Sequence, residues 1–289
     1  MANTRQIKRR ITASQNISKI TKAMEMVAAS KMRRAQEQAT ATRPYSRALQ
    51  ASLSKLGQFS DSSLHPLLAH HETGANAILL LSTDKGLCGS LNPTLFKATL
   101  QAYRQFEQPK LIAVGKKAIA FARIFGLELH AQFSNVPERL TNADTIAIST
   151  LIMDGFLSHE FKTVHIVYMD FINTLSQKVR LVQLLPLTQD VQADEALVSP
   201  ELKAEYAFEP SPREILSQLL PYYLENSVYQ AFLEGKASEH SARMVAMKNA
   251  SENAAELVSE LKLEFNKSRQ ASITNELLDI TVAAMTLKK

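Results

Sequence analysis

The stretch Asp84-Lys85-Gly86-Leu87-Cys88-Gly89-Ser90 follows a short apolar run and precedes a helical segment. Phosphate-binding loops occupy that position in α/β proteins. The residues do not complete such a loop. Neither Gly-x-x-x-x-Gly-Lys-Ser/Thr nor Gly-x-Gly-x-x-Gly occurs, and the two glycines suit a tight turn. Cys88 is the single cysteine, so no intrachain disulfide can form and a reducing compartment is expected. No neighbouring group activates it as a nucleophile, and its expected role is packing. Gly115-Lys116-Lys117 opens a second helix and offers another place for an anion. His65, His70 and His71 lie close together, but only Glu72 accompanies them, and a solvated loop accounts for them better than a metal site. Gly-x-Ser-x-Gly, His-Glu-x-x-His and paired-carboxylate motifs are absent. Nothing makes a positive case for catalysis.

The elements around the turn alternate. Ile78–Leu81, Leu111–Val114 and Val164–Met169 are apolar runs of strand length. Between them lie the helical segments Pro93–Phe106, Lys116–Phe125 and Ala143–Leu157, while Leu127–Phe133 alternates as a strand does. Asn173-Thr174 marks a turn into a hairpin partner, Val179–Leu185. This order predicts a mostly parallel, Rossmann-like α/β sheet with an antiparallel edge.

Long helices flank that layer. Tyr222–Met285 holds no proline and only one glycine, Gly235. At about 1.5 Å per residue such a helix is roughly 96 Å long, too long for a compact domain to bury. Met244, Met247, Ser251, Ala254, Val258 and Leu261 form a heptad-like seam along it. In the first 56 residues, Ile17, Ile20, Met24 and Val27 repeat the spacing, then give way to Ala35, Ala39, Ala41 and Ala48. Pro44 is expected to bend or restart this helix, and Pro221 to separate Arg213–Leu220 from the long rod or sit in its first turn. The expected organisation is residues 1–56 a coiled-coil helix, 57–76 a connector, 77–188 the α/β domain, 189–212 a linker and 213–289 the second coiled-coil helix. The fold class is thus α/β plus long helices: an antiparallel coiled coil of N- and C-terminal helices with an inserted α/β domain. The last turns, Ile280–Leu287, overhang the first helix and need an outside sleeve.

Charge is uneven. Eleven Lys/Arg within residues 1–50 face only Glu25 and Glu37, although the whole chain carries +5. A basic stripe of this kind is either a solvated face or the complement of an acidic partner. No run of 18 apolar residues predicts a membrane-spanning helix, and no secretory h-region opens the chain. Three function classes remain: a mechanical or scaffold subunit, a basic coiled-coil nucleic-acid binder, and an α/β enzyme with helical appendages. The basic stretch has no aromatic residue before Tyr45 to stack on bases, which speaks against nucleic acid.

Four blocks narrow the choice. Ile20-Thr21-Lys22-Ala23-Met24-Glu25-Met26-Val27-Ala28-Ala29-Ser30-Lys31-Met32 resembles the N-terminal signature of the ATP synthase gamma subunit family. The resemblance recurs at Ser82–Asn92, at Ser238–Ala250 and at Asn266–Thr274, in order and across almost the whole chain. With no long presequence ahead of it, the chain resembles the bacterial form.

The resemblance implies a rotor in the central stalk of a proton-translocating ATP synthase. Its coiled coil would turn inside a ring of alpha and beta subunits, and its α/β base would meet the c-subunit ring and the epsilon subunit. It would lie at the cytoplasmic face of the bacterial inner membrane, peripheral to it, with no cofactor, metal or nucleic acid of its own. Carried onto this sequence, the resemblance makes Lys22, Met24, Lys31, Arg243, Arg269, Gln270 and Thr274 beta-subunit contacts. It places Tyr206, Phe208 and Glu209 toward the c ring and epsilon. Met24 also fits a seam position, and Arg243 and Arg269 also fit solvated arginines. The purified chain is expected to turn over no ATP and to alter the ATPase rate of an alpha–beta ring when added, which a coupled phosphate-release assay checks.

Overall fold

A computed structural model of the chain describes residues 4–57, 65–187 and 211–286. Its elements are helix α1 (Thr4–Gly57), a 3-10 turn (Pro66–Leu68), strand β1 (Ala75–Leu81), helix α2 (Leu91–Gln105), β2 (Pro109–Val114), α3 (Lys116–Phe125), β3 (Leu129–Phe133), α4 (Ala143–Leu157), β4 (Phe161–Phe171), β5 (Gln177–Leu185) and α5 (Pro212–Thr286). They belong to two compact units. One contains the chain from Ala29 to Ala242; the other contains the start of α1 up to Ala28 and α5 from Arg243 onward.

In the larger unit the strand order is β3-β2-β1-β4-β5. β1 pairs in parallel with β2 and β4, β2 in parallel with β3, and β5 runs antiparallel to β4. Both faces of the sheet are covered. Ile78, Leu80, Leu111, Ala113 and Val167 point to α2 and α3, where Leu95, Ala118 and Phe121 close one core. Leu79, Leu81, Ile112, Val114 and Ile166 point the other way, onto Ile152 and Phe156 of α4 and Leu224, Val228 and Phe232 of α5. Burial on two faces is why these strands read as unbroken apolar runs.

Three expectations change. Neither proline interrupts its helix: Pro44 lies inside α1 and Pro221 inside α5, each of which runs on as one element. The connector is ordered around its histidines from residue 65 onward. His65 caps the 3-10 turn by accepting from the Leu67 amide, and His71 stacks on Phe156 with centroids 4.3 Å apart. The largest change concerns the seam of α1.

In the smaller unit the seam of α5 follows its expected positions, with Met247, Ser251, Ala254, Val258 and Leu261 buried. That of α1 is displaced by one residue. Ile17, Ile20 and Val27 are 53%, 60% and 57% exposed. The inward positions are Ile7, Ile11, Ser14, Ser18, Thr21 and Ala28, at alternating spacings of four and three, continued only across the half-buried Glu25. A contact made by Ser and Ala lets two backbones approach closely, as bulky side chains would not. Ser18 and Ser251 each donate to the other's carbonyl oxygen at 3.3 Å, and Thr21 Oγ1 returns to the Ile17 carbonyl at 2.9 Å. Ranking positions by bulk finds the wrong stripe because one residue along a helix turns the side chain by about 100°.

Two helical glycines of the larger unit make opposite demands. A Cβ on Gly155 would stand 2.3 Å from the Phe161 ring, whereas one on Gly235 meets nothing within 4 Å. Gly155→Ala is expected to destabilise by about 1–3 kcal/mol through overpacking, and Gly235→Ala to stabilise by roughly 0.5–1 kcal/mol through helix propensity. Denaturant unfolding of the two variants should show midpoints moving in opposite directions.

Candidate coupling surfaces

The turn that resembled a phosphate loop is occupied by its own chain. Asp84 Oδ1 accepts from the Lys116 amide at 2.9 Å, and Ser82 Oγ accepts from the Ala118 amide at 2.7 Å. The α3 N-terminus therefore already holds a carboxylate where an anion would sit. Gly115, at φ +92°, lets it approach: a Cβ there would fall 2.5 Å from the Ser82 carbonyl oxygen. Cys88 is buried against α2 and takes a hydrogen bond from Asn92 Nδ2 at 3.3 Å. The crevice at the carboxyl ends of β1 and β2, the usual ligand position in such sheets, is roofed by Phe232, Gly235, Lys236 and Glu239 of α5. What remains is a cavity of about 30 Å³. That is room for a water molecule, not a nucleotide.

The same unit holds both long helices to one carboxylate. Glu138, in the loop after β3, lies 3.1 Å from Lys31 Nζ of α1 and 2.7 Å from His240 Nε2 of α5. Partial burial alone would raise its pKa. The Lys31 hydrogen bond and the charges of His240, Lys31 and Lys236 outweigh that and hold it below the ordinary glutamate value. Lys31 and His240 each lie within three residues of the point where their helix passes out of the unit. Periodicity singled out Lys31 only as basic; its intrachain partner, more than 100 residues away, left no local signal.

The smaller unit carries most of the other residues expected to meet partners. Lys22 is exposed and paired with Glu25 at 3.1 Å, one turn along α1, and Met24 is half-buried. Arg243 is buried, so it is not a solvated arginine. Arg269, Gln270 and Thr274 are exposed, with Thr274 Oγ1 bonded back to the Gln270 carbonyl at 3.0 Å. Tyr206, Phe208 and Glu209 lie outside the described residues. Sequence reasoning misplaced the apolar stripe Ile17, Ile20, Val27 by taking it as a seam. It is an outward surface, and α5 adds exposed Leu263, Ile273, Leu277, Leu278, Ile280 and Val282. No helix among the described residues is long and apolar enough to cross a membrane.

A closely packed helix pair with bare apolar faces, and an α/β sheet whose ligand crevice is shut, is an architecture with known counterparts. The family model described as ATP synthase matches residues 3–287. The ATP synthase gamma chain of Haemophilus influenzae is 40% identical over 288 residues, covering 98% of this chain and 99% of that one. This chain belongs to the ATP synthase gamma chain family. The gamma chain of Dehalococcoides mccartyi is 44% identical over 290 residues, covering 99% of this chain and all of that one. Among solved structures, a chain of the Tetrahymena thermophila mitochondrial ATP synthase central stalk and c-ring superposes with a TM-score of 0.60 at 26% identity, covering 80% of this chain and 99% of that chain. A rotor chain of the Euglena gracilis mitochondrial enzyme gives 0.63 at 19% identity, covering 93% and 98%, and supports the fold alone.

Glu138→Gln is expected to loosen the helices around Lys31 and His240, by less than about 1 kcal/mol for so open a pair. Because the Glu138 pKa is depressed, its contribution is present above the ordinary glutamate pKa and is lost as pH falls through the folded value. Amide exchange in Ala29–Arg34 and Lys236–Ala242 should be faster in the variant at neutral pH and indistinguishable from the parent once the carboxyl is protonated.

Proposed function

We propose that this chain is the central-stalk rotor of an ATP synthase, turning within an alpha–beta ring and joined through its α/β unit to a c-subunit ring and an epsilon subunit. It carries no catalytic site of its own. Its work is to present different contacts to successive beta subunits, since rotation alters a binding site only if the contacts differ between states. In this reading proton flow drives the rotation, and the chain lies at the cytoplasmic face of the bacterial inner membrane without entering the bilayer.

The carrying observation is the stripe Ile17, Ile20, Val27. These branched aliphatic residues face outward from a helix whose inward positions are largely Ser, Thr and Ala. A chain that spends its small residues on its own pairing and its large ones on the outside is built to be gripped from outside. Lys22 and the exposed Arg269, Gln270 and Thr274 supply polar contacts beside the apolar ones, with Met24 and Arg243 as supports of that surface. We assign Tyr206, Phe208 and Glu209 to the c-ring and epsilon side on the family resemblance.

Replacing Ile17, Ile20 and Val27 together by serine should leave the melting temperature of the isolated chain within a few degrees of the parent, because the side chains are already in water. Each side chain that a ring buries is worth about 1.5–3 kcal/mol. The triple variant should therefore lose co-elution with an alpha–beta ring and its effect on ATPase rate. Undiminished assembly alongside a collapsed melting temperature would place the stripe inside the fold and overturn the reading.

A further inference from the structure

Helices α2 and α3 cover the sheet face opposite the one that takes Leu224, Val228 and Phe232 of α5. Their outer surface carries charge of one sign. Lys97 and Arg104 on α2 and Lys116, Lys117 and Arg123 on α3 are all exposed, and neither helix contains an aspartate or a glutamate. The two helices thus carry as much positive charge as the whole chain carries net, +5. Among the described residues no carboxylate forms an ion pair with any of the five. Asp84 spends its carboxylate on the Lys116 amide at 2.9 Å, and Arg123 reaches the neutral Gln132 at 3.5 Å. Solvated surfaces mix the two signs; a surface of one sign is a field that draws the opposite charge.

Apolar side chains stand beside these cations. Ile124 and Phe125, in the last turn of α3, are 79% and 55% exposed. Phe125 is the outer end of a row of rings that crosses from one helix to the other. Phe96 of α2 stacks on the buried Phe121 of α3 with centroids 4.4 Å apart, and Phe121 meets Phe125 at 4.9 Å. A ring already held by its neighbour gives up little freedom when a partner covers it. Aromatic side chains with arginine beside them are the composition of interface anchors.

We propose that the α2–α3 surface is a docking site for an acidic amphipathic helix of a partner protein. The Phe96–Phe121 contact marks the line along which the two helices meet. A helix laid on that line is recognised through apolar residues at every third or fourth position. Those residues cover Phe125, Ile124 and the half-buried Phe96, while acids on the flanks meet Lys97 and Arg104 on α2 and Lys116, Lys117 and Arg123 on α3. A nucleic acid would use the cations and leave Ile124 in water. A bilayer would take Ile124 and Phe125, but these occupy one turn, whereas the cations are spread along both helices. An acidic helix with an apolar stripe answers both features. The site belongs wholly to the larger unit and does not depend on the rotor reading.

The test titrates the isolated full chain with a synthetic helical peptide of glutamate and leucine, the leucines forming one stripe, and with its twin in which lysine replaces glutamate. Fluorescence anisotropy should show saturable binding of the acidic peptide, weakening as salt is raised, and no binding of the basic one. Hydroxyl-radical footprinting should show Phe96, Ile124 and Phe125 protected in the complex. Two variants check the assignment: Phe125→Ser, and Lys97→Glu combined with Lys117→Glu and Arg123→Glu. Each should melt within a few degrees of the parent, because the side chains are exposed, and each should weaken binding by roughly tenfold or more. Three results would each overturn the proposal: protection that falls on Ile17 and Ile20 of the basic α1 instead, affinity unchanged in both variants, or tighter binding of duplex DNA or phosphatidylglycerol vesicles at α2–α3. Both variants should still co-elute with an alpha–beta ring, so failure here and failure of the rotor reading are separately visible.

Discussion

The close approach of α1 and α5 is the constraint on which the rest of the molecule depends. Two helices can come together over a long seam with little bulk between them only if the inward positions are small. In the smaller unit Ser14, Ser18, Thr21 and Ala28 on α1, with Ser251 and Ala254 on α5, meet that condition. Small residues bury little apolar area, so the pairing gains less per residue than a leucine seam would. Hydroxyls compensate by bonding to backbone carbonyls, as at Ser18 and Ser251. The large aliphatic residues are left on the outside, where a monomeric protein would not place them.

Inside the larger unit the same two helices are held by polar ties where apolar area is short. Thr42 donates to Gln230 at 2.6 Å, Asn226 to Ser46 at 2.9 Å, and Gln230 to the Ala39 carbonyl at 3.3 Å. The carboxylates serve the same end. Glu138 gathers Lys31 and His240, and Glu234 of α5 lies 3.5 Å from Arg43 Nε of α1. Each of these bonds is directional, so each fixes rotation of a helix about its axis, which a smooth hydrophobic contact does not. For a subunit whose task is to transmit rotation, directional attachment of the helices to the sheet is the relevant form of stability.

The sheet has given up the role its topology offers. Its ligand crevice is roofed by α5, and the helix N-terminus that would take a phosphate takes Asp84 instead. A Rossmann-like layer here is a rigid mount, in keeping with the general separation of fold from function.

Much of this was legible in the residue order. Apolar runs of strand length alternating with helical segments determined the mostly parallel sheet and its antiparallel edge, because burial on both faces demands such runs. A stretch from Tyr222 to Met285 with no proline and a single glycine determined the long C-terminal helix, and Met247 through Leu261 determined its seam. What tertiary structure alone decided is which stripe of α1 faces in. Periodicity locates a heptad but not its phase when one candidate stripe is bulky and the other small; the phase follows from how near the opposing backbone lies. Tertiary structure likewise decided that Lys31 meets Glu138, that Arg243 is buried and that Glu234 finds Arg43. Such pairs join residues far apart in the chain, and a charge in a sequence does not name its partner until the fold brings the two together.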